Sequence, residues 1–376
     1  QLQIKTVKKK TKKNYELVTS INMLKQVIDK CIKMKIFSFD TETTSLDFNE
    51  AELVGFSISY MDNHGFYCPL GHNSDADKNI PFDKAIKMLK ELFEHKELTV
   101  VGQNFKYDMN VVKKYSINFK TSIEDTMLMS YVLNSGGKHD LGTLASKFLD
   151  HEAISYEDVV GKGKDQITFA DVDMQKAVTY ACEDSDLTLL VYGKLKSKLL
   201  KDKRLYDVYT NIEIKLMLII AEMEYLGVSI DNKELDKQSN NLKKRIEKIE
   251  KQIYSISGRE FNISSPKQIQ EIFYDELKLP VLKKTPKGQP STNEDVMTQL
   301  AEDHELPSLI LSFRNLLKLK NTYTDKLGVQ VSSVSKRLHT SYNQTITITG
   351  RLSSSSPNLQ NIPIRTTDGK KIRSAF

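Results

Sequence analysis

The spacing of apolar residues changes in character a little past the middle of the chain. In the first part, short apolar runs alternate with stretches of helical period, and the strand candidates are IFSFDTE, LVGFSISY, GFYCPL and LTVVG. Helical spacing is seen in PFDKAIKMLKELFEH and around residues 105–115, 122–134, 141–149 and 173–200. Strands that come first and then alternate with helices predict a mixed β-sheet covered by helices, an α/β fold.

From about residue 205 the pattern is helical. TNIEIKLMLIIAEMEYLG predicts an amphipathic helix that ends at Gly227. In NKELDKQSNNLKKRIEKIEKQIYSIS the apolar residues recur at heptad spacing, which we interpret as a long helix packed antiparallel on another helix of the same chain rather than an intermolecular coiled coil. LKKTPKGQPSTNED predicts a loop, with Ser291 or Thr292 as the cap of the next helix. We therefore predict two domains, at residues 1–204 and 205–376.

Composition and charge narrow the class of protein only slightly. The 376 residues are enough for two cores, and 39% hydrophobic with 28% charged residues is typical of a soluble protein. The basic start, QLQIKTVKKKTKK, has no apolar segment after it, so it does not predict a secretory signal. The net charge of +6 is too modest to predict a polyanionic partner by itself. The cysteines, Cys31, Cys68 and Cys182, are odd in number and lack CxxC spacing, which predicts a reducing intracellular compartment without disulfides.

Four carboxylates stand in contexts that predict a common site. Asp40 and Glu42 lie in SFDTETTSLD, Asp108 in GQNFKYDMN and Asp184 in TYACEDSDLTL. Asp40 and Glu42 share one face of a predicted strand, and Tyr180 lies one helical turn before Asp184. Carboxylates that converge repel one another unless a cation lies between them, and oxygen ligands of this kind suit Mg²⁺ or Mn²⁺. The pattern favours hydrolysis of a phosphodiester with two metal ions.

In this order, the three strings resemble the exonuclease motifs of the DEDDy 3′–5′ proofreading nucleases, which implies an RNase H-like fold for the first domain. RLHTSYNQTITITGRLSSSSPNLQNIPIR resembles the segment that enters the palm of A-family (DNA polymerase I-like) DNA polymerases. MEYLGVSID, FNISSPKQI and FRNLLKLKNTYTDKL resemble the thumb of that family, and FKYD and HDLGTLA its proofreading domain. The richness in lysine resembles that of the branch of the family that replicates the apicoplast of malaria parasites. This resemblance implies that the protein acts in a plastid-like organelle.

The resemblance implies a role for each residue of the first site. Asp40 would bridge two Mg²⁺ or Mn²⁺ ions, with Glu42 and Asp184 as further ligands of the first ion and Asp108 reaching the second. Tyr180 would orient the attacking water together with Glu42; the alternative is an ordinary tyrosine on the core face of a helix.

The resemblance also implies contacts with DNA. Asn104 would bind near the terminal nucleotide; the alternative is an asparagine that caps a turn. Leu46 would insert beside the terminal base; the alternative is a leucine packed in the core. The amides of Asn358, Gln360 and Asn361 suit sugar and base edges of a duplex. Arg365 would lie near the incoming dNTP in the complete enzyme.

Arg351, in TGRLSS, is predicted to read the minor groove at the primer-terminal base pair. All four correct pairs present an acceptor there in nearly the same place, so an arginine can test pairing without reading sequence. The alternative is a contact with phosphate or with an aspartate. The run Lys243, Lys244 and Arg245 is either a track for phosphates or a solvated helix face.

Three functions remain open. The first is the monomeric proofreading and thumb portion of an A-family polymerase, acting on single-stranded 3′ ends and on primer-template duplex. The second is a stand-alone 3′-exonuclease for RNA or DNA, against which the NLQNIP segment argues. The third is a non-catalytic DNA-binding module, against which the four carboxylates argue. In the family, the motif that follows IRSAF supplies a polymerase metal ligand, so we expect DNA synthesis to require residues beyond Phe376.

Overall fold

The computed structural model describes residues 13–376, so most of the basic N-terminal segment lies outside the described residues. The chain divides into two compact units. The first unit comprises the described residues up to Leu226 and Ser341–Ser354; the second unit comprises Gly227–Thr340 and Ser355–Phe376. Residues 205–226 therefore pack with the first unit, whereas the domain boundary at residue 204 stays a prediction.

A mixed six-stranded sheet forms the centre of the first unit. Its strands are β1 (Asn14–Leu17), β2 (Ile36–Thr43), β3 (Leu53–Ser59), β4 (His64–Pro69), β5 (Thr99–Gly102) and β6 (Ser122–Asp125). The order across the sheet is β1-β4-β3-β2-β5-β6. β2 runs antiparallel to β3 and parallel to β5, which places it in the interior of the sheet with Glu42 opposite Gly55. The predicted mixed sheet is confirmed.

Helices cover both faces of this sheet. The helices of the first unit are α1 (Ile21–Met34), α2 (Phe82–Phe93), α3 (Lys106–Lys113), α4 (Thr126–Leu133), α5 (Leu141–Leu149), α6 (Tyr156–Val160), α7 (Met174–Leu199), α8 (Lys203–Val208) and α9 (Ile214–Leu226). Phe39 and Phe56 pack with α1 and α2 on one face, and Tyr67 packs with α7 on the other. Because both faces are covered, every residue of β3 is buried.

Two predictions about these elements need correction, and two elements were not predicted. The helix predicted over 122–134 begins only at Thr126, because Ser122–Asp125 pair with β5 and Asp125 caps α4 by accepting from the Leu128 amide at 2.9 Å. The patterns of β1 and α1 were not recognised. α9 ends before Gly227 as predicted, but it is not amphipathic: Met217 and Ile220 are buried while Ile219 is 58% exposed.

The second unit is mainly helical. It contains α10 (Asn232–Ser257), α11 (Pro266–Gln270), α12 (Glu294–Leu300), α13 (Glu305–Leu319), α14 (Asp325–Val329) and α15 (Thr367–Arg373). The apolar seam of α10 packs on α13 within the chain, as the heptad spacing predicted. Neither Ser291 nor Thr292 caps α12; the cap is Asn293, which accepts from the Val296 amide at 3.1 Å.

A short two-stranded sheet joins β7 (Ser341–Asn343) to β8 (Ser353–Ser355). All three cysteines are buried and free, which agrees with the absence of a disulfide pattern. None of the described helices combines the length and the apolar character needed to cross a bilayer.

Candidate metal centre

Three of the four predicted carboxylates converge. One carboxylate oxygen from each of Asp40, Glu42 and Asp184 lies within 4.8 Å of the other two. Asp40 and Glu42 project from β2, and Asp184 reaches them because α7 packs across that strand. Glu42 is only 4% exposed, and its buried Oε1 has no hydrogen-bond partner among the described residues. An oxygen in that condition is suited to a small cation.

The fourth carboxylate, Asp108, is fixed beside the same strand. It lies in the first turn of α3 and is 3% exposed. Its Oδ1 accepts from the Thr41 backbone N–H at 2.9 Å and from the Thr41 hydroxyl at 2.5 Å. Because Thr41 stands between Asp40 and Glu42 in β2, these two bonds tie Asp108 to the strand that carries the other ligands.

Burial raises the pKa values of all four carboxylates, and the charges of neighbouring ligands add to this for Asp40, Glu42 and Asp108. Burial, and then the charge of Asp184, raise the pKa of Asp40 well above its ordinary value. Burial, followed by the charges of Asp40, Asp184 and Asp108, does the same to the pKa of Glu42. Burial raises the pKa of Asp184 to about 7, against the hydrogen bond from Tyr180. Buried like charges in this number are stable only with a proton or a cation between them. The all-oxygen donor set, with the unpartnered Glu42 oxygen, fits hard divalent cations.

Tyr180 lies beside Asp184, and its role in orienting a water stays a prediction. Its hydroxyl is hydrogen-bonded to Asp184, and burial followed by the charge of Asp184 raises its pKa, so it remains a protonated donor. The ring is half-buried at the edge of the α7 cluster. Packing and a site contact are therefore both present in this one side chain.

Two residues of the centre were not predicted. Thr41 holds Asp108, and its only signal was its place between two carboxylates. Tyr107 donates to the Ser45 carbonyl at 2.6 Å, and burial raises its pKa, with contributions from Asp108, Asp40 and Glu42. Its signal was its position next to Asp108 in FKYD.

The structure separates the alternatives for two further residues. Leu46 is 87% exposed, so it does not pack in the hydrophobic core, and that alternative is wrong. Asn104 is exposed, has a left-handed backbone at φ 56°, and accepts from the Tyr107 amide through its carbonyl at 3.1 Å. This is the turn-forming role, and contact of either residue with DNA stays a prediction.

The remaining candidates are exposed and lie away from the carboxylates in sequence. Arg351 belongs to the first unit, and its carbonyl accepts from the Thr347 hydroxyl at 2.6 Å. Asn358, in the second unit, folds its own loop, because its Oδ1 accepts from the amides of Gln360 at 3.0 Å and Asn361 at 3.3 Å. Arg365 is exposed in the same unit. Their roles in binding DNA and dNTP stay predictions.

The basic run on α10 is partly accounted for by the fold. Lys243 and Lys244 are exposed, whereas Arg245 forms an ion pair with Asp368 at 2.7 Å inside the second unit. Arg245 therefore connects α10 with α15, while a phosphate track and a solvated face both stay open for the two exposed lysines.

Two family models match the chain. A model described as 3′-5′ exonuclease matches residues 15–200, and one described as DNA polymerase family A matches residues 232–376. The first contains all four carboxylates and the second contains the TGRLSS and NLQNIP strings.

Similar proteins agree with these models. The DNA polymerase I of Pseudomonas aeruginosa is 44% identical over 354 residues, covering 93% of this chain and 39% of the relative. The DNA polymerase I of Borreliella burgdorferi is 37% identical, covering 96% of this chain and 39% of the relative. The chain thus spans about two fifths of the length of these relatives. A structure of the POL domain of Pol1 from M. smegmatis, in complex with DNA primer-template and dNTP, is similar with a TM-score of 0.77 and 26% identity, covering 93% of this chain and 57% of that one.

The fold and the carboxylate cluster define a 3′–5′ exonuclease domain followed by a helical thumb-like region. The chain belongs to the family A DNA polymerases, as a DNA polymerase I-like protein.

Proposed function

We propose that this chain removes nucleotides from the 3′ end of single-stranded DNA with divalent cations, as the proofreading part of a DNA polymerase I-type enzyme. The observation that carries the proposal is the convergence of Asp40, Glu42 and Asp184, with Asp108 fixed to the same strand. The similarity to bacterial DNA polymerase I over more than nine tenths of the chain supports it.

Asp40, Glu42, Asp184 and Asp108 would hold the cations, and Mg²⁺ is the proposed ion because the donors are all carboxylate oxygens. When bound, such ions neutralise phosphate charge and lower the pKa of a water nucleophile. Thr41 keeps Asp108 in place through two hydrogen bonds. The Tyr180 hydroxyl orients the Asp184 carboxylate and offers a hydroxyl at the reaction centre.

Single-stranded DNA enters by its 3′ end in this proposal, and primer-template duplex lies along the second unit. The complex of the M. smegmatis Pol1 domain with primer-template and dNTP supports a duplex partner of this kind. Arg351 would test the primer-terminal pair from the minor groove, and Arg365 would face the dNTP in a complete enzyme. DNA-directed DNA synthesis is proposed for the whole protein, as is a plastid-like, reducing compartment.

A stand-alone exonuclease is the second candidate. The match of residues 232–376 to the polymerase family model argues against it, since such an enzyme has no use for a thumb or a palm entry.

The test is digestion of a 5′-labelled single-stranded oligonucleotide with Mg²⁺ or Mn²⁺. We expect a ladder of products shortened from the 3′ end, and Asp40→Ala should lower the rate by orders of magnitude. Asp29→Ala is a matched control, because Asp29 is exposed on α1, and it should digest at the unmodified rate. Digestion that continues in EDTA, or at an unaltered rate in Asp40→Ala, would refute the proposal.

A further inference from the structure

Residues 341–354 belong to the polymerase family match but pack with the first unit. This segment, called the arginine segment here, begins with β7 and carries the exposed Arg351. Two side chains fasten it at its middle: Gln344 donates to Glu213 Oε2 at 2.6 Å, and the Tyr131 hydroxyl donates to the Thr347 carbonyl at 2.7 Å.

A buried ion pair fastens the beginning of the arginine segment. Lys106, in the first turn of α3, and Glu224, near the end of α9, are 8% and 4% exposed, and Lys106 Nζ lies 2.5 Å from Glu224 Oε1. The same Oε1 accepts from the Tyr342 amide at 2.6 Å, and Lys106 also donates to the Tyr342 carbonyl. Both backbone polar groups of Tyr342 are therefore bonded to one ion pair.

The ion pair and the backbone of the arginine segment depend on each other. A buried ion pair is stable only when hydrogen bonds satisfy its remaining donors and acceptors. Here the backbone N–H and carbonyl of Tyr342 supply two of these hydrogen bonds, so the ion pair and the arginine segment stabilise each other. Lys106 also lies two positions before Asp108 on α3, which places the junction on the helix that carries a carboxylate of the metal centre.

We propose that the buried junction of Lys106, Glu224 and the Tyr342 backbone fixes the Arg351-bearing segment to the nuclease helix α3, so that a duplex end bound at Arg351 is held in register with the carboxylates. This inference rests on the proposed function. Lys106 and Glu224 act as positioning residues, since they hold the arginine segment without contacting DNA.

The chain offers a matched control for the same pair of helices. Lys113 and Glu222 also form an ion pair between α3 and α9, but their side chains are 28% and 53% exposed. Glu222→Gln therefore removes a charge from the same helix as Glu224→Gln, at the surface rather than in the junction. We expect Glu222→Gln to behave as the unmodified chain.

The experiment compares two substrates and one structural readout in the full chain. The substrates are a single-stranded oligonucleotide and a primer-template with a correctly paired 3′ terminus, and the readout is amide hydrogen exchange across residues 341–354. For Glu224→Gln we expect single-strand digestion within about twofold of the unmodified rate, digestion of the paired duplex lower by about tenfold in kcat/KM, and faster exchange in the arginine segment. The double variant Lys106→Met, Glu224→Leu replaces the ion pair by apolar side chains. It should show the same difference between the two substrates, and it serves as the test if Glu224→Gln fails to fold.

Unchanged exchange in these variants would overturn the proposal, as would digestion of the two substrates that changes by the same factor. Hydrogen exchange does not depend on nuclease activity. A chain without any nuclease activity would therefore refute the proposed function, while exchange would still decide whether the junction holds the segment.

Discussion

The hydroxyl of Thr41 offers the sharpest test of how the metal centre is built. Thr41 is 7% exposed, and its hydroxyl donates to the buried Asp108 at 2.5 Å. Thr41→Val keeps the volume of the side chain and the backbone hydrogen bond at 2.9 Å but removes the hydroxyl. Burial raises the pKa of Asp108, so the carboxylate is ionised when divalent cations are present. A hydrogen bond to a charged group contributes about 1.5–3 kcal/mol, so we expect the free energy of unfolding with Mg²⁺ present to fall by about that amount.

The exonuclease rate should fall as well, because Asp108 loses one of its two bonds to β2. A loss of about 1.4 kcal/mol in transition-state stabilisation corresponds to a tenfold slower reaction, and we expect a decrease of at least that size. Urea denaturation gives the stability, and single-turnover digestion of a single-stranded oligonucleotide gives the rate.

Thr121→Val is the matched control. Thr121 is also 7% exposed, but its buried Oγ1 has no hydrogen-bond partner among the described residues. Removing an unpartnered buried hydroxyl should leave the stability unchanged or raise it by up to about 1 kcal/mol, with no effect on the rate. An equal loss in the free energy of unfolding for Thr41→Val and Thr121→Val would show that the hydrogen bond from Thr41 to Asp108 does not stabilise the protein.

Three further predictions concern stability, each measured by urea denaturation. Gly193 is exposed inside α7 with nothing within 4 Å of an added Cβ, so Gly193→Ala should stabilise the protein by about 0.5–1 kcal/mol; destabilisation would contradict this. Gly55→Ala should destabilise by about 1–3 kcal/mol, because the new Cβ would lie 2.3 Å from the hydroxyl of the buried Tyr67; a neutral effect would be evidence against that packing. For Glu183, burial acts to raise the pKa of the carboxyl, but hydrogen bonds, the largest from Lys13, outweigh burial and lower this pKa below its ordinary 4.5. The stability from these bonds is therefore present above pH 4.5 and lost as the pH falls through the lower folded pKa, so Glu183→Gln should cost about 1–3 kcal/mol at pH 7 and progressively less in acid; a cost independent of pH would refute the assignment.

The central strands could be predicted because their local pattern and their burial agree. β2 to β5 are short, apolar and bounded by turns, and each is buried against helices on both faces. β6 could not be recognised, since Ser122–Asp125 are mostly polar and form a strand only through pairing with β5. The apolar surface of α9 was misread for a related reason: period alone does not show which side of an apolar helix is covered.

The candidate site could be predicted by residue type but not by geometry. The order of the four carboxylates and Tyr180 identified the centre, and three of the carboxylates are within 4.8 Å of one another. Nothing local indicated that Thr41 would hold Asp108, because that bond joins residues 67 positions apart in the chain. The Lys106–Glu224 pair was missed for the same reason, with a separation of 118 positions.

In the proposed function, one carboxylate cluster both holds the divalent cations and performs the digestion. To test this, Mn²⁺ binding to the purified chain is measured from the electron paramagnetic resonance signal of the free ion. The exonuclease rate is measured on the same samples. We expect Asp40→Asn and Asp184→Asn to lose tight Mn²⁺ binding and nucleotide release together, while Asp29→Asn keeps both. Full Mn²⁺ binding by Asp40→Asn, or rapid digestion by a variant that no longer binds Mn²⁺, would contradict it.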